Sequence, residues 1–178
     1  SDEEVAKVVD GKIKALAAGS ATITVSFAGN DKYAAAESKI IKVNVSLKWY
    51  VNVNESAGGD GKTKDTPFQT LKEALDEACY SDIIMIAAGT YTGENNVGLR
   101  IGKNDLTLKK YGDGEAIFDA ESGENIFYSE TDEAKSINIE GLTFKNAKSA
   151  IVFKNGMCDS NIDATFINIG TGQWGSAI

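Results

Sequence analysis

The sequence predicts an all-β chain in two parts, an antiparallel β-sandwich portion followed by a parallel β-helix that opens with a capping α-helix. Three observations lead there. A short line is written twice near the end: Leu142-Thr143-Phe144-Lys145-Asn146 and Ala164-Thr165-Phe166-Ile167-Asn168 match at a separation of 22 residues. A spacing of that size marks a solenoid, whose repeats bury their apolar faces only by stacking. Short strand-like runs, divided by Gly, Asn and Asp turns, follow one another without the long helical crossovers that βαβ units need. A single amphipathic helical stretch stands ahead of most of them.

The opening 47 residues contain the runs Val5–Val9, Lys12–Leu16, Ala21–Phe27 and Lys39–Val45. Asp10-Gly11 between the first two is a strong hairpin signal. Ile23, Val25 and Phe27 alternate with Thr22, Thr24 and Ser26, and Ile41, Val43 and Val45 alternate with Lys42, Asn44 and Ser46. Each pattern predicts a half-buried strand. Residues 48–178 form the second part. Trp49, Val51 and Val53 alternate as a strand, and a Gly- and Asp-rich loop follows from Glu55 to Lys64. A helix is expected over about 66–79, with Thr66 as N-cap, Pro67 at its first position and Gln69 at capping-box spacing. Phe68, Leu71, Leu75 and Ala78 make its apolar stripe, suited to cover the open end of a solenoid. The continuous apolar run Ile83–Ile86 reads as a buried parallel strand. Further short strands are expected at Gly89–Tyr91, Leu99–Ile101, Leu106–Leu108, Ile117–Phe118, Ile126–Tyr128 and from Ile137. A second echo, Ser149–Ile151 with Ser176–Ile178, restarts the repeat where the chain stops, as at the beginning of a longer β-helix.

Composition narrows function mainly by exclusion. Eighteen basic and 26 acidic residues give a net charge of −8, which disfavours nucleic acid or an anionic membrane as partner. The excess is uneven: residues 1–48 hold six acids and seven bases, residues 49–178 twenty and eleven. There is no His, which removes the commonest general base and neutral metal ligand. Cys79 and Cys158 lack metal-like spacing and suit small buried hydrophobes, and their pairing is not legible from sequence. No apolar run of spanning length is present, so membrane insertion by this stretch is not expected.

Two tracts resemble known families. VVDGKIKALAAGSATITVSFAGNDKY, followed by IIKVNV, is similar to the second half of a bacterial Ig-like domain, which makes residues 1–47 a partial Ig-like sandwich with an exposed apolar face and unpaired edges. TPFQTLKEALDEA, SDIIMIAAGTY, DLTLKKYGDGEAIFDA and INIEGLTFKN resemble the start of a right-handed parallel β-helix of the pectin-lyase-like type. The version they resemble occurs in adhesin-like surface proteins of methanogenic archaea and some bacteria, where Ig-like modules and β-helix repeats share a polypeptide. Two departures are Ala88, where the pattern has Pro, and Ser81, where it has Gly. The resemblance implies an extracellular, cell-surface location and a non-catalytic adhesion or structural role. The partner it implies is a glycan or protein of another cell. The alternative is a polysaccharide lyase or glycoside hydrolase, because this fold hosts both.

Candidate residues follow from these alternatives. A lyase would need a basic residue, and Arg100 is the only Arg, set in an alternating strand without an Asp cluster beside it. A hydrolase needs two facing carboxylates. Asp119 with Glu121, Glu140 with Asp163, and Asp159 with Asp163 are the available pairs, but no other glycosidase vocabulary surrounds them. Glu140 and Asp163 hold equivalent repeat positions and would stack about 5 Å apart. No catalytic residue is assigned. No cofactor or metal site is predicted; Asp60, Asp65 and the glycines between them loosely resemble a calcium loop, yet turn chemistry and capping account for them. The binding candidates are the aromatic residues near turns, Tyr91, Tyr111, Tyr128 and Trp174, since rings stack on sugars and anchor interfaces. Ordinary packing is the competing account of each. Phe144, Phe153 and Phe166 are expected in the core. Asn146 and Asn168, one repeat apart, are expected to stack as a structural ladder at a corner, because Asn tolerates left-handed backbone. Asn44-Val45-Ser46 and Asn54-Glu55-Ser56 fit the N-glycosylation triplet, which arises often by chance.

Overall fold

The computed structural model of the chain describes residues 3–17, 19–103, 105–129, 136–153 and 160–170. It divides into two compact units, Ser1–Leu47 and Lys48–Ile178.

In the first unit, β1 (Ala6–Val9) and β2 (Lys12–Ala15) form an antiparallel hairpin. Asp10 and Gly11 turn it with φ of 50° and 72°, the left-handed pair that suits the twist of the flanking strands. A second antiparallel pair joins β3 (Gly19–Phe27) to β4 (Ala36–Val45). Ala21 and Ile23 are buried, and Val5, Ala6 and Ala21 form a small core with Val43 and Val45 against it. The alternation does not produce half-buried strands along their whole length. Val25, Phe27 and Ile41 are exposed, since among the described residues each of these sheets has only two strands.

The second unit is a curled sheet in which, among the described residues, every strand pairing is parallel. One row runs through β5 (Lys48–Val51), β6 (Ile83–Ile86), β9 (Leu106–Lys110) and the start of β11 (Ile137–Phe153) to the start of β12 (Asn161–Ile169). Another runs through β7 (Gly89–Tyr91), the start of β10 (Ala116–Ser129), the middle of β11 and β12. The third joins β8 (Leu99–Arg100) to the end of β10 and the end of β11. The expected strands Ile117–Phe118 and Ile126–Tyr128 are thus parts of one strand. It bends where its register shifts between Asp119 and Gly123, at Glu121 (φ 52°) and Ser122 (φ 76°).

Register explains the repeated line. Leu142, Thr143, Phe144 and Lys145 lie against Ala164, Thr165, Phe166 and Ile167. The inward positions build an aromatic column: Tyr91, Phe118, Phe144 and Phe166 follow one another with centroids 4.8, 6.0 and 5.7 Å apart. Phe127 meets Phe118 and Phe144 edge-on at 5.3 and 5.5 Å. Offset and edge contacts of this kind add to the area such rings bury. Phe144 is fully buried, while Phe153 and Phe166 are partly buried against the same core.

The helix α1 spans Leu71–Glu77, shorter than the stripe predicted. Its N-cap is Thr70, with Glu73 completing the capping box, rather than Thr66 with Gln69. The reason lies in competing bonds. The Thr66 hydroxyl donates to Asp60 at 2.7 Å, and Phe68 makes a parallel bridge to Val51, donating to the Tyr50 carbonyl at 2.8 Å and accepting from the Asn52 N–H at 2.9 Å. Residues 66–69 are therefore spent as an extra extended contact beside β5. Gly61 (φ 68°) permits it, since a Cβ there would stand 2.2 Å from the Phe68 ring. The buried Asn96 accepts from the Leu71 N–H at 2.9 Å, satisfying another open donor of the helix. Leu71, Ala74 and Ala78 enter the core with Trp49 and Val51.

Candidate functional site

The first row of strands presents an outward face that alternation dictates: with Trp49, Ile84, Leu108 and Ile139 buried, their neighbours point away from the core. Tyr50, Met85, Lys109, Glu140 and Asp163 stand in register across five strands. At the β5 end, Tyr111 meets Tyr50 edge-on at 5.6 Å, and the Lys64 ammonium lies 5.2 Å above the Tyr111 ring. Burial is the main cause raising the Tyr111 phenol, and the nearby Tyr50 and Glu55 push it further the same way. Tyr111 therefore stays a neutral donor and a half-exposed ring. The corner brings together two rings at right angles, a cation over one ring face and two phenol hydroxyls.

The other candidates are dispersed. Tyr91 is not a surface residue: it is fully buried as the first ring of the aromatic column. Its hydroxyl donates to the Ala87 carbonyl at 3.0 Å, and burial raises its pKa strongly. The turn beside it is real, but position in register sends the ring inward. Tyr128 is half-exposed on β10, opposite Arg100 of β8. Trp174 and Cys158 lie outside the described residues. Cys79 is an exposed free thiol rather than a buried one.

Asn146 and Asn168 do stack. The Asn168 amide donates to Asn146 at 3.0 Å, and both residues are left-handed, with φ of 54° and 52°. The Asn146 amide in turn donates to both oxygens of Asp119, at 2.9 and 3.0 Å. The ladder thus begins one strand earlier than the repeated line, with an acid in place of Asn. Burial tends to raise the Asp119 carboxyl, but the Glu121 N–H, the Asn146 amide and Lys145 outweigh it and hold the group below its ordinary value.

Two of the carboxylates considered for catalysis have other partners. Glu140 pairs with Lys109, and Asp119 serves the ladder. Asp163 lies beside Glu140 in register, while Asp159 falls outside the described residues. Asp60 accepts from the Thr66 hydroxyl and the Lys62 N–H, in that order of effect, and both lower its carboxyl. Its loop is organised by these bonds. Among the described residues no three acidic or Cys side chains gather as a metal would need, and no helix is long and apolar enough to cross a membrane.

Known proteins give no match to this chain: no protein family, no curated protein and no solved structure is significantly similar to it. Function therefore has to be argued from the residues themselves.

Sequence reasoning missed Tyr50, Lys64 and the role of Asp119. Tyr50 was open to it, since the alternation that buries Trp49 and Val51 turns Tyr50 outward. Lys64 was not, because a long loop brings it to Tyr111.

Proposed function

We propose that this chain is part of an adhesin-like extracellular surface protein that binds without catalysis. In this reading residues 1–47 are part of an Ig-like module, and residues 48–178 begin a right-handed parallel β-helix capped by α1. The β-helix projects a binding face toward a glycan or protein on another cell. The observation that carries the proposal is the Tyr50–Tyr111 corner with Lys64 above it, standing at the edge of an outward face whose underside is packed. Tyr50 is fixed on β5 and Tyr111 follows directly on β9, so these rings lose little freedom on binding, which favours recognition by a rigid scaffold. The all-parallel pairing, the aromatic column and the corner ladder support the β-helix portion of the reading.

The test is saturable binding of the chain to immobilised glycans and to intact cells. Tyr111→Ala and Tyr50→Ala are expected to weaken it at least tenfold while leaving the unfolding transition in place. Incubation with acidic and neutral polysaccharides, with and without calcium, provides the opposing result. New reducing ends or unsaturated products would replace this reading with an enzymatic one.

A further inference from the structure

The Tyr50–Tyr111 corner is filled by a group of the chain itself, and that group shows which chemistry the corner accepts. The Lys64 ammonium stands 5.2 Å from the centre of the Tyr111 ring, inside the distance of about 6 Å at which a cation is drawn to an aromatic face. Among the described residues it pairs with no carboxylate. Tyr50 meets Tyr111 at an interplanar angle of 90°, so two ring planes converge on one corner. Glu55 lies close enough for its charge to act on the Tyr111 phenol, after burial and Tyr50. Two rings at right angles and a carboxylate make a partial cage for an ammonium.

Three members of this cage are held by the backbone around them. The Tyr50 N–H donates to the Gly61 carbonyl at 2.7 Å, and the Tyr50 carbonyl accepts from the Phe68 N–H at 2.8 Å. The Tyr111 N–H donates to the Ile86 carbonyl at 2.9 Å. Glu55 is fixed by its N–H on the Asn52 carbonyl at 3.1 Å and by the Gln69 amide, which donates to its carbonyl at 3.0 Å. Lys64 differs from them. It is exposed, on a turn closed by the Thr63 and Thr66 hydroxyls 2.9 Å apart. The contact of an exposed ammonium with a ring is weak, so a better-matched cation displaces it.

We propose that the corner receives the protonated amine of an amino sugar, which takes the place of Lys64 on the Tyr111 ring. This rests on the binding role given above to the same corner and names the group bound there. A sugar amine has hydroxyls beside it, and the two phenols and Glu55 exchange hydrogen bonds with them. The apolar stem of a peptide lysine would use the rings and leave those polar groups idle. Long-range charge acts in the same direction. Residues 49–178 hold twenty acids against eleven bases, which draws in a chain of protonated amines and repels a chain of uronates. Lys64 is then an internal competitor that keeps the ring face covered until a cationic ligand arrives.

Titration calorimetry tests this with glucosamine oligomers, their N-acetylated counterparts, a uronate oligomer and a trimethyl-lysine peptide, at about pH 6, where such amines are protonated. Saturable binding of the free-amine oligomer is expected, at least tenfold tighter than that of the acetylated one. Tyr111→Ala should weaken it at least tenfold, and Glu55→Gln, an exposed change that leaves the rings in place, by roughly threefold. Lys64→Ala removes the competitor and should tighten the free-amine oligomer, whereas it would weaken an anionic ligand. Weaker binding by Lys64→Ala, or tighter binding of the uronate oligomer, would overturn the assignment. Equal binding of the free and acetylated oligomers, both lost in Tyr111→Ala, would overturn the amine and leave the corner as a binding site. Preference for the trimethyl-lysine peptide would overturn the sugar in favour of a protein partner. No saturable binding of any of the four would also overturn the assignment.

Discussion

The two units use the same strand chemistry and reach opposite degrees of burial. In the second, one continuous core runs from Trp49 to Ile151, and Tyr91, Phe118, Phe127 and Phe144 are fully buried within it. In the first, the core is Val5, Ala6 and Ala21, while Val8, Ile13, Val25, Phe27 and Ile40 are exposed, Ile40 at 68%. The difference is not local propensity. Ile23-Thr24-Val25 is as good a strand as Ile137-Asn138-Ile139, but the second unit lays parallel strands side by side in a curled sheet whose inner face holds the core. Two-stranded sheets have no such layer, and an isolated pair is marginal in water. Burial here is a property of stacking.

The sharpest way to break that comparison is to truncate one apolar side chain in each unit. Phe118→Ala removes the ring that touches Tyr91, Phe127 and Phe144, and should cost about 3 to 5 kcal/mol in denaturant unfolding. Ile40→Ala should change stability by less than about 0.5 kcal/mol, as exposed substitutions do. Comparable losses at both positions would mean that the exposed face of the first unit is covered in solution.

Much of this contrast was legible in the sequence. The repeated Thr-Phe line, the hairpin at Asp10-Gly11 and the Asn corner ladder all form as local pattern and turn chemistry require. Three things were not legible, for one reason. Thr66 looks like a helix cap but bonds to Asp60; Tyr91 looks like a turn aromatic but faces the core; Asp119 looks like one of several paired surface carboxylates but heads the ladder. Each outcome is decided by a partner distant in sequence or by register, neither of which a single-chain pattern fixes. The candidate surface was harder still, because Lys64 and Tyr111 are brought together only by the tertiary fold.

A smaller effect probes how the second unit tolerates polar groups inside its packed interior. Asp82 is fully buried and accepts from the Trp49 indole at 3.0 Å and the Cys79 N–H at 2.8 Å. Asp82→Ala strands both donors and should cost about 3 kcal/mol. Asp82→Asn keeps an acceptor oxygen and should recover more than half of that. Trp49 emission read during urea unfolding reports both values, and equal losses for the two variants would deny the hydrogen bonds their role.

The corner ladder comes next. Asn146→Ala loses the bonds to Asp119 and Asn168 and puts a residue without Asn's tolerance of left-handed backbone at φ 54°, for a cost of about 2 kcal/mol. Asn146→Gly keeps the backbone angle at ease and should cost about 1 kcal/mol. The same corner sets an acid limb. Because Asp119 titrates lower in the folded chain than in the unfolded one, the unfolded chain takes up the proton first as pH falls. The stability it contributes is complete above the unfolded value of about 4 and is lost below it, through the folded value. Asn146→Ala removes part of the cause, so its stability should fall less steeply below pH 4 than that of the parent chain. An unchanged acid slope would take Asp119 out of the account.

The smallest expected effect compares one turn in each unit. Ser81 sits at φ 64° immediately before the buried Asp82, a backbone angle that costs a non-Gly residue about 1 to 2 kcal/mol. Gly relieves that strain but gives back about 0.5 to 1 kcal/mol in chain entropy, so Ser81→Gly should stabilise the second unit by about 0.5 to 1 kcal/mol. Asp10 has a similar angle, φ 50°, in the hairpin of the first unit. Asp is at home in such a turn, and the hairpin is held by little else, so Asp10→Gly should leave the main melting transition where it is. Calorimetry should therefore show a rise of roughly 2 to 4 °C for Ser81→Gly and none for Asp10→Gly. A shift of the main transition by both would show that the units melt together, and that the poorly buried first unit draws its stability from the second.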